Sequence, residues 1–187
     1  MNYNGSITGI FGPMFSGKST ELLRLIRNGE IAKKKSILVK YAGDTRYCSD
    51  EICTHDKIKR FSYTSVRLYD TYNEHKTEFD ESDQIGIDEG QFFPDLVEFA
   101  EEMANNGKRV IIAMLDGNFA RKEFQINKIQ NLIAICDDFR KLRATCNFCG
   151  KEESASFSKR IVDSTEQELI GGDDMYHAAC RSCYYRN

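Results

Sequence analysis

The chain has 187 residues, enough for one α/β domain with a full hydrophobic core and a small appendage. Hydrophobic residues make up 41% and charged residues 29%, and the net charge of −3 lacks the basic footprint of a nucleic-acid binder. No stretch approaches the ~20 consecutive apolar residues that would cross a bilayer as a helix. Met1–Gly5 has neither a basic region nor an apolar core, so no export signal and no membrane partner are expected and a cytoplasmic location is the default.

The first element is the apolar run Ile7–Phe11, which reads as a buried strand. It leads into Gly12-Pro13-Met14-Phe15-Ser16-Gly17-Lys18-Ser19, a match to G-x-x-x-x-G-K-[ST] at every fixed position. Such a loop turns successive backbone N–H groups around a di- or triphosphate. Its lysine reaches the β and γ phosphates, and its Ser hydroxyl can ligate Mg²⁺. Thr20–Ile26 has a helical pattern that starts at the loop, and strand, loop, helix is the context that gives the motif its meaning.

Ser36–Tyr41 reads as a second buried strand, and residues 42–60, polar and rich in turn formers, as a surface loop region. Asp83–Asp88 is a third strand. Pro94–Asn106 is predicted helical, with Leu96, Val97, Ala100 and Met103 at helical spacing and Asn106-Gly107 as its stop. Lys108–Asp116 is the longest strand candidate, and Ile126–Phe139 a last helix with Ile129, Ile133 and Cys136 on one face. Strands alternating with helices predict an α/β fold with a mostly parallel sheet covered on both sides. From about Thr145 the pattern changes, which divides the chain into a nucleotide-binding domain over 1–143 and a metal-binding unit over 144–187.

Asp88-Glu89 ends a predicted strand, at the edge where parallel sheets bind ligands. An Asp there suits the acidic element that serves Mg²⁺ in phosphate-loop enzymes, and Glu89 beside it suits a general base for an attacking hydroxyl. The rival reading is that the two acids cap the helix near Pro94.

Seven cysteines in a chain with no export signal argue against a disulfide framework. Cys146-x-x-Cys149 and Cys180-x-x-Cys183 instead form two knuckles that can give four thiolates to one tetrahedral Zn²⁺. Four protein ligands leave no open position, so the metal is structural. His177 is a neighbour of the set, and Cys48, Cys53 and Cys136 are ordinary free thiols.

Together, these segments resemble the cytosolic, zinc-containing thymidine kinases of cells and large DNA viruses. The resemblance is carried by Gly12–Leu22, Lys40-Tyr41-Ala42 with Asp44–Tyr47, Thr54-His55-Asp56, Ile87–Asp95, Leu115-Asp116-Gly117, Gly171-Gly172-Asp173 with Tyr176, and Cys180-Arg181-x-Cys183-Tyr184. It spans about Gly5 to Tyr185, and Ser158 stands where Thr is common. It implies a RecA-like P-loop fold with a small zinc-bound lasso domain. It implies an ATP site at Gly12–Ser19, aided by Asp44, Thr45, Arg46 and the run Asp88, Glu89, Gly90, Gln91. Mg²⁺ would be held at Ser19 and Asp88, and Glu89 would be the base. Phe119 would lie against thymine, in a pocket that Met14, Leu115, Phe92 and Phe124 help build. Gln167, Glu168, Leu169, Ile170 and Gly171, with Tyr176, would form a lasso that closes on the nucleoside. The family also implies a homotetramer and feedback inhibition by dTTP.

The implied reaction is ATP-dependent phosphorylation of the thymidine 5′-hydroxyl. One rival is an ATPase stimulated by nucleic acid through its zinc knuckles. Between Cys149 and Cys180, however, Lys151, Lys159 and Arg160 face Glu152, Glu153, Asp163, Glu166, Glu168, Asp173 and Asp174, a poor surface for a phosphate backbone. The other rival is a nucleotide-gated switch without transfer activity.

Overall fold

A computed structural model describes residues 5–43, 51–53, 59–124, 126, 129–163 and 171–186, with the backbone alone at 51, 53, 59 and 129. β1 (Ser6–Gly12) leads through the phosphate loop into α1 (Lys18–Ile31) and then β2 (Ser36–Tyr41). An antiparallel pair follows, β3 (Glu51–Cys53) with β4 (Lys59–Phe61), and then β5 (Tyr63–Ser65). Two short helices, α2 (Leu68–Glu74) and α3 (Lys76–Glu81), return the chain to β6 (Gln84–Asp88). A 3₁₀ turn (Gly90–Phe92), α4 (Leu96–Asn105), β7 (Arg109–Leu115), α5 (Ile129–Ile135) and β8 (Asp138–Lys141) complete the larger unit. The smaller one holds β9 (Phe157–Arg160), β10 (Tyr176–Ala179) and α6 (Arg181–Tyr185).

Six strands form the main sheet in the order β5-β2-β6-β7-β1-β8, and every pairing in it is parallel. The four inner strands, β2, β6, β7 and β1, are buried on both faces, which is why they read as apolar runs. Alternate side chains feed two separate cores. Val110, Ile112 and Met114 of β7 join Ile85, Ile87, Ile37 and Val39 in the core under α2, α3 and α4. Ile111 and Ala113 join Ile10, Leu38 and the α1 residues Leu22, Leu25 and Ile26 in the other. The same alternation turns Asp88 towards α1, since Ile85 and Ile87 already occupy the opposite face.

Two expectations are corrected. Residues 42–60 are more than a surface loop: β3 and β4 lie within them, and Ile52, 1% exposed, belongs to the core on the α1 face. A single buried position among charges leaves no periodicity to read. Ile126–Phe139 is not one helix. α5 stops at Ile135, and within it Leu132 is buried while Ile133 is exposed. Asp137 then locks onto the start of β1. Its carboxylate accepts from the Ile7 N–H at 2.7 Å and its own N–H donates to the Ile7 carbonyl at 2.9 Å, so the chain enters the sheet as edge strand β8.

In the smaller unit, β9 and β10 pair antiparallel and Ala144 bridges Ala155. Their apolar cluster, Ala144, Cys146, Ala155, Ala178 and Cys183, packs against Phe15 of the phosphate loop. The phosphate loop is therefore packed directly against the C-terminal segment.

Candidate functional site

All six sheet strands point their C-terminal ends the same way, so Gly12, Tyr41, Asp88 and Leu115 share one edge. The phosphate loop is shaped there by two glycines with different tasks. Gly17 sits at φ 80, a left-handed conformation, with open space where a Cβ would be. At Gly12 the demand is room, because a Cβ would lie 2.7 Å from Ser16 Oγ and 2.8 Å from the Leu142 carbonyl. Phe15 also has positive φ, 63°, and its packing on the smaller unit holds it there. No side chain caps α1, which suits a helix start that receives an anion. Lys18 is folded back, Nζ donating to the Pro13 carbonyl at 2.8 Å, and Ser16 Oγ donates to the same carbonyl at 2.8 Å.

Asp88 is 6% exposed. Its Oδ1 accepts from Ser19 Oγ at 3.1 Å and from the Glu89 N–H at 3.1 Å. Burial, reinforced by the Glu89 charge, pushes its carboxyl up to about 7. A nearby cation would favour its charged form, and a Ser hydroxyl beside a carboxylate is an oxygen-only donor set of the kind Mg²⁺ takes. The capping alternative fails. The position before α4 is Asp95, whose carboxylate accepts from the Leu68 and Tyr69 N–H groups at the start of α2, at 3.1 and 3.0 Å.

Glu89 leaves the strand at φ 56 and ψ 41. Gln91, fully buried, donates through Nε2 to Glu89 Oε2 and accepts the Leu115 N–H at 2.9 Å.

The residues expected around the base are partly assembled. Phe92 meets Phe124 edge-on with ring centroids 6.0 Å apart and Tyr41 at 5.0 Å. Phe119 follows β7 in a loop organised by Asn118, whose Oδ1 accepts from the N–H groups of Ala120 and Lys122, both at 3.0 Å. The Phe119 carbonyl accepts from Tyr184 Oη. The Arg160 guanidinium lies 3.7 Å over the Phe119 ring and donates to Tyr176 Oη at 2.8 Å, so Phe119 and Tyr176 meet through Arg160. Asp44, Thr45 and Arg46, and the lasso residues Gln167, Glu168, Leu169 and Ile170, lie outside the described residues.

Sequence reasoning gave no role to Ser158, Lys40 or Arg160. Ser158, buried on β9, accepts the Met14 N–H of the phosphate loop at 3.0 Å. Lys40, 2% exposed, is registered opposite Asp88 in the β2–β6 pairing. The available signal was the lone lysine in the apolar run Ile37–Tyr41.

The four cysteines converge as their spacing predicted. The sulfurs of Cys146, Cys149, Cys180 and Cys183 all lie within 4.8 Å of one another. A tetrahedral Zn²⁺ with Zn–S bonds of about 2.3 Å needs sulfurs about 3.8 Å apart. Cys149 and Cys180 are at 3.9 Å. Burial raises the Cys146 thiol, but N–H groups of Cys180, Phe148 and Cys149 outweigh it and bring it down, while hydrogen bonds with the neighbouring cysteines push the Cys183 thiol up. Lys151, Arg181 and Arg186 line the same cleft, a positive surround for a four-thiolate site. His177 stacks edge-on with Phe148 instead of joining the sulfurs.

A family model described as thymidine kinase matches residues 5–184, through both units. The chain belongs to the thymidine kinase family. It is 50% identical over 182 residues to "Thymidine kinase, cytosolic" of Gallus gallus, covering 97% of this chain and 78% of that one. It is 52% identical over 180 residues to "Thymidine kinase" of vaccinia virus strain Ankara, covering 96% and 97%. It is 50% identical over 185 residues to "Thymidine kinase 1" of Dictyostelium discoideum, covering 96% and 78%. The thymidine kinase match takes in the phosphate loop, Asp88-Glu89 and both cysteine knuckles, so the cysteine cluster lies within the family-matched region. No described helix is long and apolar enough to cross a membrane.

Proposed function

We propose that this protein transfers the γ-phosphoryl group of ATP to the 5′-hydroxyl of thymidine. The observation that carries the reading is the shared sheet edge. There, in a chain of the thymidine kinase family, the phosphate loop, the Ser19–Asp88 pair and Glu89 come together.

Backbone N–H groups of Gly12–Ser19 hold the triphosphate, with Asp44, Thr45 and Arg46 assisting. Lys18 exchanges the Pro13 carbonyl for the β and γ phosphates, trading a neutral acceptor for a charged one. Ser19 and Asp88 would hold the Mg²⁺ that comes with ATP, and when bound it supplies charge neutralisation on the phosphate oxygens. Glu89 takes the proton of the 5′-hydroxyl as that oxygen attacks, a contribution of about 10²- to 10⁴-fold. Positioning and charge stabilisation do the rest. Phe119 lies against the base, walled by Met14, Leu115, Phe92 and Phe124, and Gln167–Gly171 with Tyr176 closes over it and excludes water. Cys146, Cys149, Cys180 and Cys183 would hold Zn²⁺, which would tie together the ends of the segment that carries this lasso. The same reading places the enzyme in the cytoplasm as a homotetramer, restrained by dTTP and without a nucleic-acid partner.

The test is a panel of nucleosides offered with γ-labelled ATP. Label should enter thymidine fastest and deoxyuridine more slowly. A missing methyl in an apolar pocket is worth of order 1 kcal/mol. Deoxycytidine presents reversed donors and acceptors and should be rejected, as should purines. Deoxycytidine or deoxyguanosine as the better acceptor would overturn the substrate. ATP hydrolysis driven by single-stranded DNA, with no nucleoside product, would overturn the kinase.

A further inference from the structure

Gln91 falls in the run that family resemblance assigns to ATP, yet it is 0% exposed and has no surface to offer a ligand. What it does have is a pair of directed hydrogen bonds. The Leu115 N–H can only donate, so the carboxamide atom 2.9 Å from it must be the oxygen. That fixes the amide orientation and aims Nε2 at Glu89 Oε2.

Both ends of this bridge matter to the site. Leu115 is the last residue of β7 and is registered opposite Gly12, the first residue of the phosphate loop. Gln91 therefore ties the Glu89 carboxylate to the strand end that borders the loop. Glu89 needs such a tie. It has left the sheet ladder, it holds a left-handed conformation that glutamate rarely adopts, and its side chain has three rotatable torsions. With Oε2 held by a donor, the carboxylate stays at one distance from the phosphate loop.

We infer that Gln91 is a positioning residue for phosphoryl transfer, acting through Glu89 and not as an ATP contact. The inference rests on Glu89 being the base, and the experiment separates the two claims. Single variants Gln91→Met and Glu89→Gln and the double variant are compared for kcat, for both KM values and for thymidine affinity, with thermal unfolding as the fold control. Gln91→Met should lower kcat about tenfold or more, because a base misplaced by about 1 Å can cost two orders of magnitude. Both KM values should stay within about twofold. In the Glu89→Gln background, adding Gln91→Met should change kcat less than about twofold, since the group it acts through is already gone. Losses that multiply, or an effect confined to KM for ATP, would overturn the positioning role. Wild-type kcat in Glu89→Gln would instead remove Glu89 as base, a separate reading on a separate variant.

A second substitution guards against a folding defect from the unpaired Leu115 N–H. Gln91→Glu keeps an acceptor for that group and replaces only the donor. At pH 8.5 the introduced carboxylate faces Glu89 as a like charge, and kcat should again fall about tenfold or more. Towards pH 6 it takes up a proton and can donate, so the deficit should shrink. Wild-type kcat for Gln91→Glu across that range would overturn the inference.

Discussion

Replacing Ser158 by Ala removes one oxygen from the smaller unit, and its effect should appear in ATP binding. Ser158 Oγ is the acceptor for the Met14 N–H at 3.0 Å, and both residues are buried, at 5% and 8% exposure. An unpaired buried N–H costs about 1–3 kcal/mol. The β9 backbone keeps its ladder to β10 through the Ser158–Ala178 pair, so the cysteine cluster should be untouched and the cost should fall on the phosphate loop. At 1.4 kcal/mol per tenfold, that corresponds to a loss of about five- to a hundredfold in ATP affinity. Titration with a fluorescent ATP analogue reads the affinity directly, while zinc content and thermal unfolding report on the rest of the chain. Ser158→Thr keeps the hydroxyl and should bind ATP nearly as the parent does. Unchanged ATP affinity in Ser158→Ala, or equal damage in both variants, would refute the reasoning.

Lys18→Ala should abolish turnover while thymidine still binds, which calorimetry with the nucleoside alone would check. Metal analysis should find one zinc per chain. Chelation or Cys183→Ser should weaken thymidine binding and, through the Met14–Ser158 and Phe15 contacts, ATP binding as well. Burial pushes the Cys136 thiol up to about 11, so at pH 8 only about one in a thousand is thiolate. Peptide mapping after iodoacetamide and chelator should therefore show Cys149, the exposed member of the cluster, alkylated well before Cys136. Phe119→Ala should raise KM for thymidine and deoxyuridine alike without relaxing the choice of base, because ring stacking serves any pyrimidine.

The features legible in the sequence were those whose meaning is local. Eight consecutive residues define the phosphate loop, and two Cys-x-x-Cys pairs define the sulfur cluster. The strand ending in Asp88-Glu89 was readable because a parallel sheet leaves an apolar run and places ligands at its C-terminal edge. Residues 126–139 misled because Ile129, Ile133 and Cys136 fit a helical period. What ends α5 is the pairing of Asp137 with Ile7, a partner 130 positions away. The contacts of Ser158 and Lys40, and the bridging role of Gln91, were illegible for the same reason: each depends on a neighbour supplied by the fold. Gln91 in particular looks like any polar residue in a ligand-binding run until its burial and its two partners are seen.

The position of β1 in the sheet also bears on synthesis. In the main sheet it pairs with β7 and β8, whose first residues are Arg109 and Asp138. A ribosome therefore releases Ser6–Gly12 long before either partner exists. Until then its apolar residues have no ladder to join, and the loop that follows has no neighbouring strand end to be shaped against. The segment with the most specific chemistry is made first and formed late, and contacts so distant along the chain are slow to close. Nascent chains stalled before Leu115 should expose this strand to chaperones, whereas chains released past Lys141 can cover both of its edges at once.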